Sequence, residues 1–367
     1  MVACGVAEND NKTTDAGQPV ERVAAARLVR FASEAFLSVG LPAKDAATCA
    51  LLMTRADLQG ADGHGIFRLP QYIRRIQGGA VNVKPAVRLA REAAGMALVD
   101  GDNGMGHVVM SFAAKTAIDK AKTAGAAWVG VNRSNHAGPA SLYAAMPLEH
   151  DMIGLYLAVG NANHMAPWGG VDLLLSTNPI AVAVPGTEGP IVLDMATSVA
   201  AYGKVKTAAQ QGRSMPEGWM IDHQGRPLTD PKRAADGLLV PIGGYKGYGL
   251  ALVIGLLAGS LNGAAMGSET IDFNADDTTP TNTGHAIVAL SIAAFGEVDD
   301  FKRRVDKLVR EIRRSKPMPG VERIWLPGEQ SRAKLEERSQ SGVPIPGALR
   351  ASLDKLAAEL KIKPLEG

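Results

Sequence analysis

The segment Asp62, Gly63, His64, Gly65, Ile66, Phe67, Arg68 holds the side chains best suited to chemistry in this sequence. An imidazole titrates at about pH 6.5, so it can give or take a proton in neutral solution, and a guanidinium presents a planar fork that matches a carboxylate. If the segment enters a helix, positions 64 and 68 lie four apart and share one face. The pair then describes a 2-oxo acid site, His64 serving as proton donor and Arg68 as anchor. A surface histidine at a helix start beside a solvated arginine has the same spacing, and the local pattern does not separate the two readings.

Three further clusters could hold a ligand. Ser134 to Ala140 (SNHAGPA) lies between an expected strand and an expected helix, where small residues leave room against backbone N–H groups that favour an anion. An ordinary strand-to-helix turn with His136 as a cap fits equally well. In LDMATS, Asp194 closes a strand, and Thr197 and Ser198 can bond a ribose or cap a helix. In GGYKGYG, residues 243–249, glycines permit close backbone approach and Lys246 adds a phosphate-seeking charge. The phosphate-loop spacing is not met, and GDNGMG at 101–106 has the wrong glycine order for a Rossmann fingerprint. A bound dinucleotide therefore implies another architecture. The seven histidines and two cysteines show no metal-ligand spacing, so no metal is expected, and no G-x-S-x-G elbow supports a hydrolase. Hydride transfer remains.

The elements that must position these residues are legible from periodicity. Apolar residues recur at helical spacing over 20–59, with a break at Gly40 to Pro42, which predicts two amphipathic helices. A short helix then ends at Gly78. Beyond Pro85 the pattern turns to strands at 96–100, 126–131, 152–160, 173–185, 190–197 and 285–295, with helices over 108–124, around 139–146 and over 248–261. The last sixty residues are charged and helical. The expected fold class is α/β (α+β), with residues 1–19 a disordered tail, 20–80 plus 300–367 a helical domain, and 81–299 a sheet domain for cofactor and substrate.

Composition narrows the function classes. With 367 residues, 46% hydrophobic and 21% charged, the chain has ordinary globular composition, and its net charge of +2 with scattered basic residues argues against nucleic acid. The longest apolar run, near 250–261, is too short to span a bilayer, so no membrane partner is expected. Two cysteines cannot build a disulfide framework, and the first twenty residues lack a signal-peptide pattern, so a cytoplasmic location is expected.

Read in order, DGHGIFRLPQYIRRIQGG, NRSNHAGPASLYA, LSTNPIAVAVPG, VLDMATS, YGKVKTAAQQG, MPEGWMID, GGYKGYGLAL and WLPGE resemble the type 2 malate/L-lactate dehydrogenase family over about residues 20–335. The resemblance implies a homodimer with a non-Rossmann sheet domain that binds NAD or NADP and a helical domain built from both chain ends. It implies His64 as the proton donor to a small-molecule 2-oxo acid and Arg68 as its carboxylate anchor, with Thr177, Tyr202 and Gly203 touching substrate. The cofactor would lie against His136, Ala137, Gly138, Pro139 and Ala140, against Asp194, Met195, Ala196 and Ser198, beside Tyr245 and Lys246, and near Gly328 and Glu329. This sequence departs from the pattern twice: Gly63 stands where many relatives carry serine, and Lys204 stands near where the ketimine reductases of the family carry an acid. Reduction of cyclic imino acids and catalytically silent dinucleotide binding are the alternatives.

Overall fold

The computed structural model of the chain describes residues 21–210 and 212–366, and the tail expected over 1–19 lies outside them. The described part opens with β1 (Glu21–Val23), α1 (Ala25–Ser38) and α2 (Ala43–Leu58). Leu28, Phe31, Ala32, Ala35 and Phe36 form the buried stripe of α1, the three- and four-residue spacing that marks an amphipathic helix. The chain turns between the helices at Gly40, whose φ of +96° disfavours any side chain, and Pro42 starts α2.

The single helix face expected to carry His64 and Arg68 is not formed. Residues Asp62–His64 and Ile66–Arg68 make two separate 3-10 turns, and α3 begins only at Leu69 (Leu69–Gln77). Gly65 between them has ψ −138°, far from helical, and the Ile66 N–H bonds Asp57 Oδ2 at 2.8 Å instead of an upstream carbonyl. A Cβ at Gly65 would overlap the Asp57 carboxylate, so only glycine lets the turn sit on α2.

Next come β2 (Arg88–Glu92), β3 (Met96–Asp100), α4 (Gly106–Ala124), β4 (Ala126–Ser134), α5 (Ser141–Ala144) and β5 (Met152–Ala158). The run expected as one strand over 173–185 divides in two, because Pro179 has no N–H to donate and the Asn178 side chain bonds Gly160 N (3.0 Å) and Ala251 O (2.8 Å). The elements there are β6 (Asn163–Met165), β7 (Leu175–Ser176), β8 (Ile180–Val184) and β9 (Ile191–Met195). They lead to α6 (Tyr202–Gln210), β10 (Met220–Asp222), β11 (Gly237–Leu239) and α7 (Tyr245–Ala258), the last starting three residues earlier than its apolar pattern suggests. The chain closes with β12 (Thr283–Ser291), α8 (Val298–Arg314), α9 (Glu329–Ser341), β13 (Val343–Ile345) and α10 (Gly347–Leu360).

Seven strands form one mixed sheet in the order β2-β3-β4-β12-β5-β8-β9. The pair β3/β4, joined by the α4 crossover, is parallel, and the other pairs are antiparallel. In β5 the side chains alternate: Met152, Tyr156 and Ala158 join the core under α4, whereas Leu155 and Leu157, with Val159 just past the strand, join Ile254 and Ala258 of α7 on the opposite face. A separate cluster gathers α1, α2 and α3 with Val343, Ile345, Leu353 and Leu356 from the far end of the chain, and β1 pairs with β13. No described helix is long and apolar enough to cross a membrane.

Candidate active site

The two 3-10 turns are held from both sides. Asp57 of α2 takes the Ile66 N–H, and Arg338 of α9 donates to the Asp57 carbonyl and to the Asp62 carboxylate, reaching Oδ2 at 3.2 Å. His64 therefore projects from a backbone fixed by residues remote in sequence. Its Nδ1 lies 3.3 Å from Nε2 of His136, with the rings stacked at 5.3 Å and 11°. His136 Nδ1 in turn lies 2.5 Å from the Tyr72 hydroxyl. His136, read from the sequence as a cofactor contact, is thus the direct partner of the imidazole read as acid/base. Gly63 has open space around it and offers His64 no hydroxyl, so His136 supplies the orienting contact.

Protons in this chain can run in two senses. If Tyr72 donates to His136 Nδ1, His136 Nε2–H donates to His64 Nδ1 and His64 carries its own proton on Nε2; in the opposite sense His64 Nε2 is left bare. Burial, and then the Arg68 charge, push the His64 imidazole down to about 4, so it is neutral at pH 7. Burial, with the charges of His64 and Arg68, also holds His136 well below its ordinary value. Burial pushes the Tyr72 phenol up, so its proton stays on. Phe273 stacks on His136 at 5.1 Å, and His107 packs edge-on against Tyr72 at 5.6 Å.

Arg68 is tightly placed. Its Nε donates to Gly63 O (2.9 Å), and its Nη1 donates to Gln71 Oε1 (2.8 Å) and Asn274 Oδ1 (3.1 Å), while Gln71 is itself tied to Phe273 O at 2.5 Å. Three of the five guanidinium N–H groups are thereby spoken for, which leaves the Nη2 pair for a ligand. A carboxylate that uses both terminal nitrogens must displace Asn274, whose bond is the longest of the three.

The remaining residues singled out in the sequence fall along a continuous track. Ala137 O accepts the Tyr143 hydroxyl at 2.6 Å, and Gly138 turns the backbone at φ +81°, where a Cβ would stand 3.2 Å from His107 Nε2. Pro139 and Ala140 lead into α5, whose Ser141 N–H bonds Asp194 Oδ2 at 2.8 Å. Met195 ends β9 in register with Ile180, and past Ala196 the Thr197 N–H bonds the carbonyl of Thr177 at 3.0 Å. Ser198 bridges to Pro241, where the chain rises through Gly243 and Gly244, both at positive φ, to exposed Tyr245 and Lys246 at the start of α7. Gly328, at φ +87°, lies on Val192 of β9, too close for a Cβ. Glu329 is buried with Oε1 on Arg313 Nε (3.0 Å) and Oε2 on Leu326 N (3.0 Å), so its carboxylate closes the turn. Burial pushes that carboxyl up, but the Leu326 N–H and Arg313 outweigh it and hold it below its ordinary value. Positive-φ glycines beside an unpaired helix N-terminus and Lys246 leave backbone donors uncovered by side chains, which suits a dinucleotide phosphate. Tyr202 and Gly203 open α6, with the Tyr202 ring stacked on His164 at 4.0 Å and open space at Gly203.

Sequence reading missed Tyr72, Gln71, Phe273 and Asn274. Tyr72 had a signal, being four residues beyond Arg68 on the start of α3. Phe273 and Asn274 had none, since they reach Gln71 and Arg68 from about two hundred positions away.

A family model described as malate/L-lactate dehydrogenase matches residues 23–354. Malate dehydrogenase of Pyrococcus abyssi is 36% identical over 353 residues, covering 94% of this chain and 96% of that one. The structure of sulfolactate dehydrogenase from Methanocaldococcus jannaschii superposes with a TM-score of 0.87 at 36% identity, covering 94% and 98% of the two chains. Relatives named for either cofactor occur: ureidoglycolate dehydrogenase (NAD(+)) of Escherichia coli O157:H7 is 33% identical over 83% of this chain and 87% of its own, and (2R)-3-sulfolactate dehydrogenase (NADP(+)) of Chromohalobacter salexigens is 33% identical over 85% and 91%. A match that runs almost from end to end, on a chain with this mixed sheet, means that the protein belongs to the malate/L-lactate dehydrogenase family of NAD(P)-dependent oxidoreductases acting on hydroxy acids.

Proposed function

We propose that the enzyme interconverts a small 2-oxo acid and its 2-hydroxy acid, with His64 as acid/base and Arg68 as carboxylate anchor. The observation that carries this reading is the pairing of a neutral imidazole, oriented by His136, with a guanidinium already fixed by three hydrogen bonds. His136 to Ala140, Asp194 to Ala196, Ser198, Tyr245, Lys246, Gly328 and Glu329 would hold the dinucleotide, and Thr177, Tyr202 and Gly203 would border the substrate. A nicotinamide held there would supply or accept the hydride at the carbon next to the carboxylate.

In the oxidising direction neutral His64 takes the hydroxyl proton on Nε2, and its Nδ1–H donates to His136 Nε2, which steadies the imidazolium formed. In the reducing direction the same Nε2 returns the proton to the carbonyl oxygen. Arg68 fixes the carboxylate, and with it the carbon that must face the cofactor. A carboxylate on Arg68 also offsets the charge that disfavours protonated His64, so substrate binding draws the imidazole toward its charged form.

The test is consumption of NADH and NADPH by purified enzyme with pyruvate, oxaloacetate, sulfopyruvate and the cyclic imine piperideine-2-carboxylate, with His64→Ala as control. Turnover of an oxo acid that collapses in the variant supports the reading. Turnover of the imine alone would overturn it.

A homodimer is part of the same proposal, supported by α7, whose Leu250, Val253 and Leu256 expose an apolar face beside exposed Trp168 and Tyr245. A cytoplasmic location belongs to the same proposal, supported by a composition of two cysteines, too few for a disulfide framework.

A further inference from the structure

The carbonyls on either side of His136 are both taken by buried side chains that the proton-transfer reading does not use. Asn135 O lies 3.3 Å from Nε2 of His285 on β12, and Ala137 O takes the Tyr143 hydroxyl of α5 at 2.6 Å. Tyr156 of β5 joins the two donors: its hydroxyl lies 2.7 Å from His285 Nδ1, and its ring stacks on Tyr143 at 5.4 Å. All three side chains are buried. A carbonyl only accepts, so the imidazole proton sits on Nε2 and donates to Asn135, and Nδ1 then takes the Tyr156 O–H. Burial pushes His285 down to about 4 and pushes the Tyr156 phenol up, so at neutral pH the imidazole has a single N–H and the phenol keeps its own.

This support acts where the chain leaves β4 irregularly. Ser134 pairs with Thr283 and Val131 with His285, so three steps along β4 match two along β12, and the surplus is a bulge. Arg133 in that bulge has φ +47°, uncommon for a residue with a side chain. The approach to β12 braces it: Asn282 Oδ1 takes the Arg133 N–H at 2.8 Å, and the Thr281 hydroxyl lies 3.1 Å from Asn135 Oδ1. Past the bulge no ladder holds the backbone, and the peptide that joins Asn135 to His136 leans on His285. We propose that His285 is a positioning residue of the reaction: its Nε2–H, aimed by Tyr156, fixes the peptide that carries His136 and so keeps His136 Nε2 in reach of His64 Nδ1. The inference rests on the reading of His64 as acid/base given above.

Asparagine at 285 keeps an acceptor where Nδ1 stands and has no atom at Nε2, whereas glutamine brings an N–H to the Nε2 position. The experiment measures kcat and KM at saturating NADH or NADPH, on whichever of pyruvate, oxaloacetate and sulfopyruvate the wild type reduces. The variants are His285→Asn, His285→Gln, His136→Ala, His64→Ala and the double variant His285→Asn/His136→Ala. In His285→Asn kcat should fall about ten- to hundredfold, from a misplaced imidazole, while KM for the oxo acid stays within about twofold because Arg68 is held by other residues. His285→Gln should restore most of kcat. In the double variant the asparagine should cost nothing beyond His136→Ala, since the residue it acts through is gone. Wild-type kcat in His285→Asn, a glutamine variant no better than asparagine, or losses that multiply in the double variant overturn the inference alone, provided that His64→Ala collapses. Should thermal melting show that His285→Asn does not fold, Tyr156→Phe takes its place in the same cycle, keeping the ring stack and removing the hydroxyl. A fall of about three- to tenfold in kcat is then expected, and wild-type kcat overturns the inference. Undiminished turnover in His64→Ala, or a wild type silent on all three acids, overturns the parent reading and this inference with it.

Discussion

Replacing Arg68 by lysine keeps the positive charge beside His64 and removes the plane that aims it. In the native site Nε and Nη1 make three bonds to Gly63, Gln71 and Asn274, at 2.9, 2.8 and 3.1 Å, and these hold Nη2 toward the ligand space. An ammonium on a flexible stem cannot satisfy those acceptors and face a carboxylate together. The variant should therefore lose at least one charge-assisted hydrogen bond to substrate, about 1.5–3 kcal/mol, or roughly 10- to 150-fold in KM. Turnover should fall less, through poorer orientation of the reacting carbon. Initial rates of NADH or NADPH oxidation over a range of oxo acid concentrations measure both terms, and thermal melting checks that the fold is intact. A folded Arg68→Lys enzyme with KM within about twofold of wild type would refute the assignment, because uniform binding lost at the carboxylate must appear in KM.

Four further outcomes test these assignments. His64→Ala should lower kcat by about a hundred- to ten-thousandfold while leaving NADH binding, followed by fluorescence, unchanged; equal loss of both would make His64 a structural residue. With His64 at about 4 in the free enzyme, kcat/KM for hydroxy acid oxidation should stay level from neutral pH down to about pH 5 and drop below it, whereas kcat/KM for reduction should fall as pH rises above about 4. Stability should also fall in acid: His107 and His285, buried and held at about 3 and about 4, stay neutral when folded but bind protons from about pH 6.5 downward when unfolded, costing about 1.4 kcal/mol per pH unit each until they titrate in the fold. A melting temperature level between pH 6.5 and 4 would contradict that. Finally, Val253→Lys on the exposed face of α7 should shift sedimentation from dimer to monomer, and an unchanged profile would move the interface elsewhere.

Periodicity carried much of the fold, because helices such as α1 and α4 and strands such as β3, β4 and β5 bury one regular face. It failed where a side chain overrode the backbone: Asn178 and Pro179 split an apolar run, and Asp57 broke what spacing suggested was one helix through His64 and Arg68. Short pairings such as β10 with β11 left no readable pattern, since three residues are too few to show a period. At the site, residue types sufficed to single out His64, Arg68 and His136. The relation of His136 to His64 was hidden, because 72 positions separate two rings that touch only in three dimensions.

The strand pair β1/β13 and the reach of Arg338 to Asp57 and Asp62 have a consequence for how the enzyme comes into being. The residues of β1 wait for partners more than three hundred codons downstream. While α9 and β13 are still in the ribosome tunnel, α2 has no clamp on the turn that carries His64, and β1 has no neighbour. The sheet can assemble on the emerging chain, but the turn that carries His64 is clamped only after α9 has emerged. A message cut short before α9 would then yield a chain with most of its strands and an unclamped His64 turn.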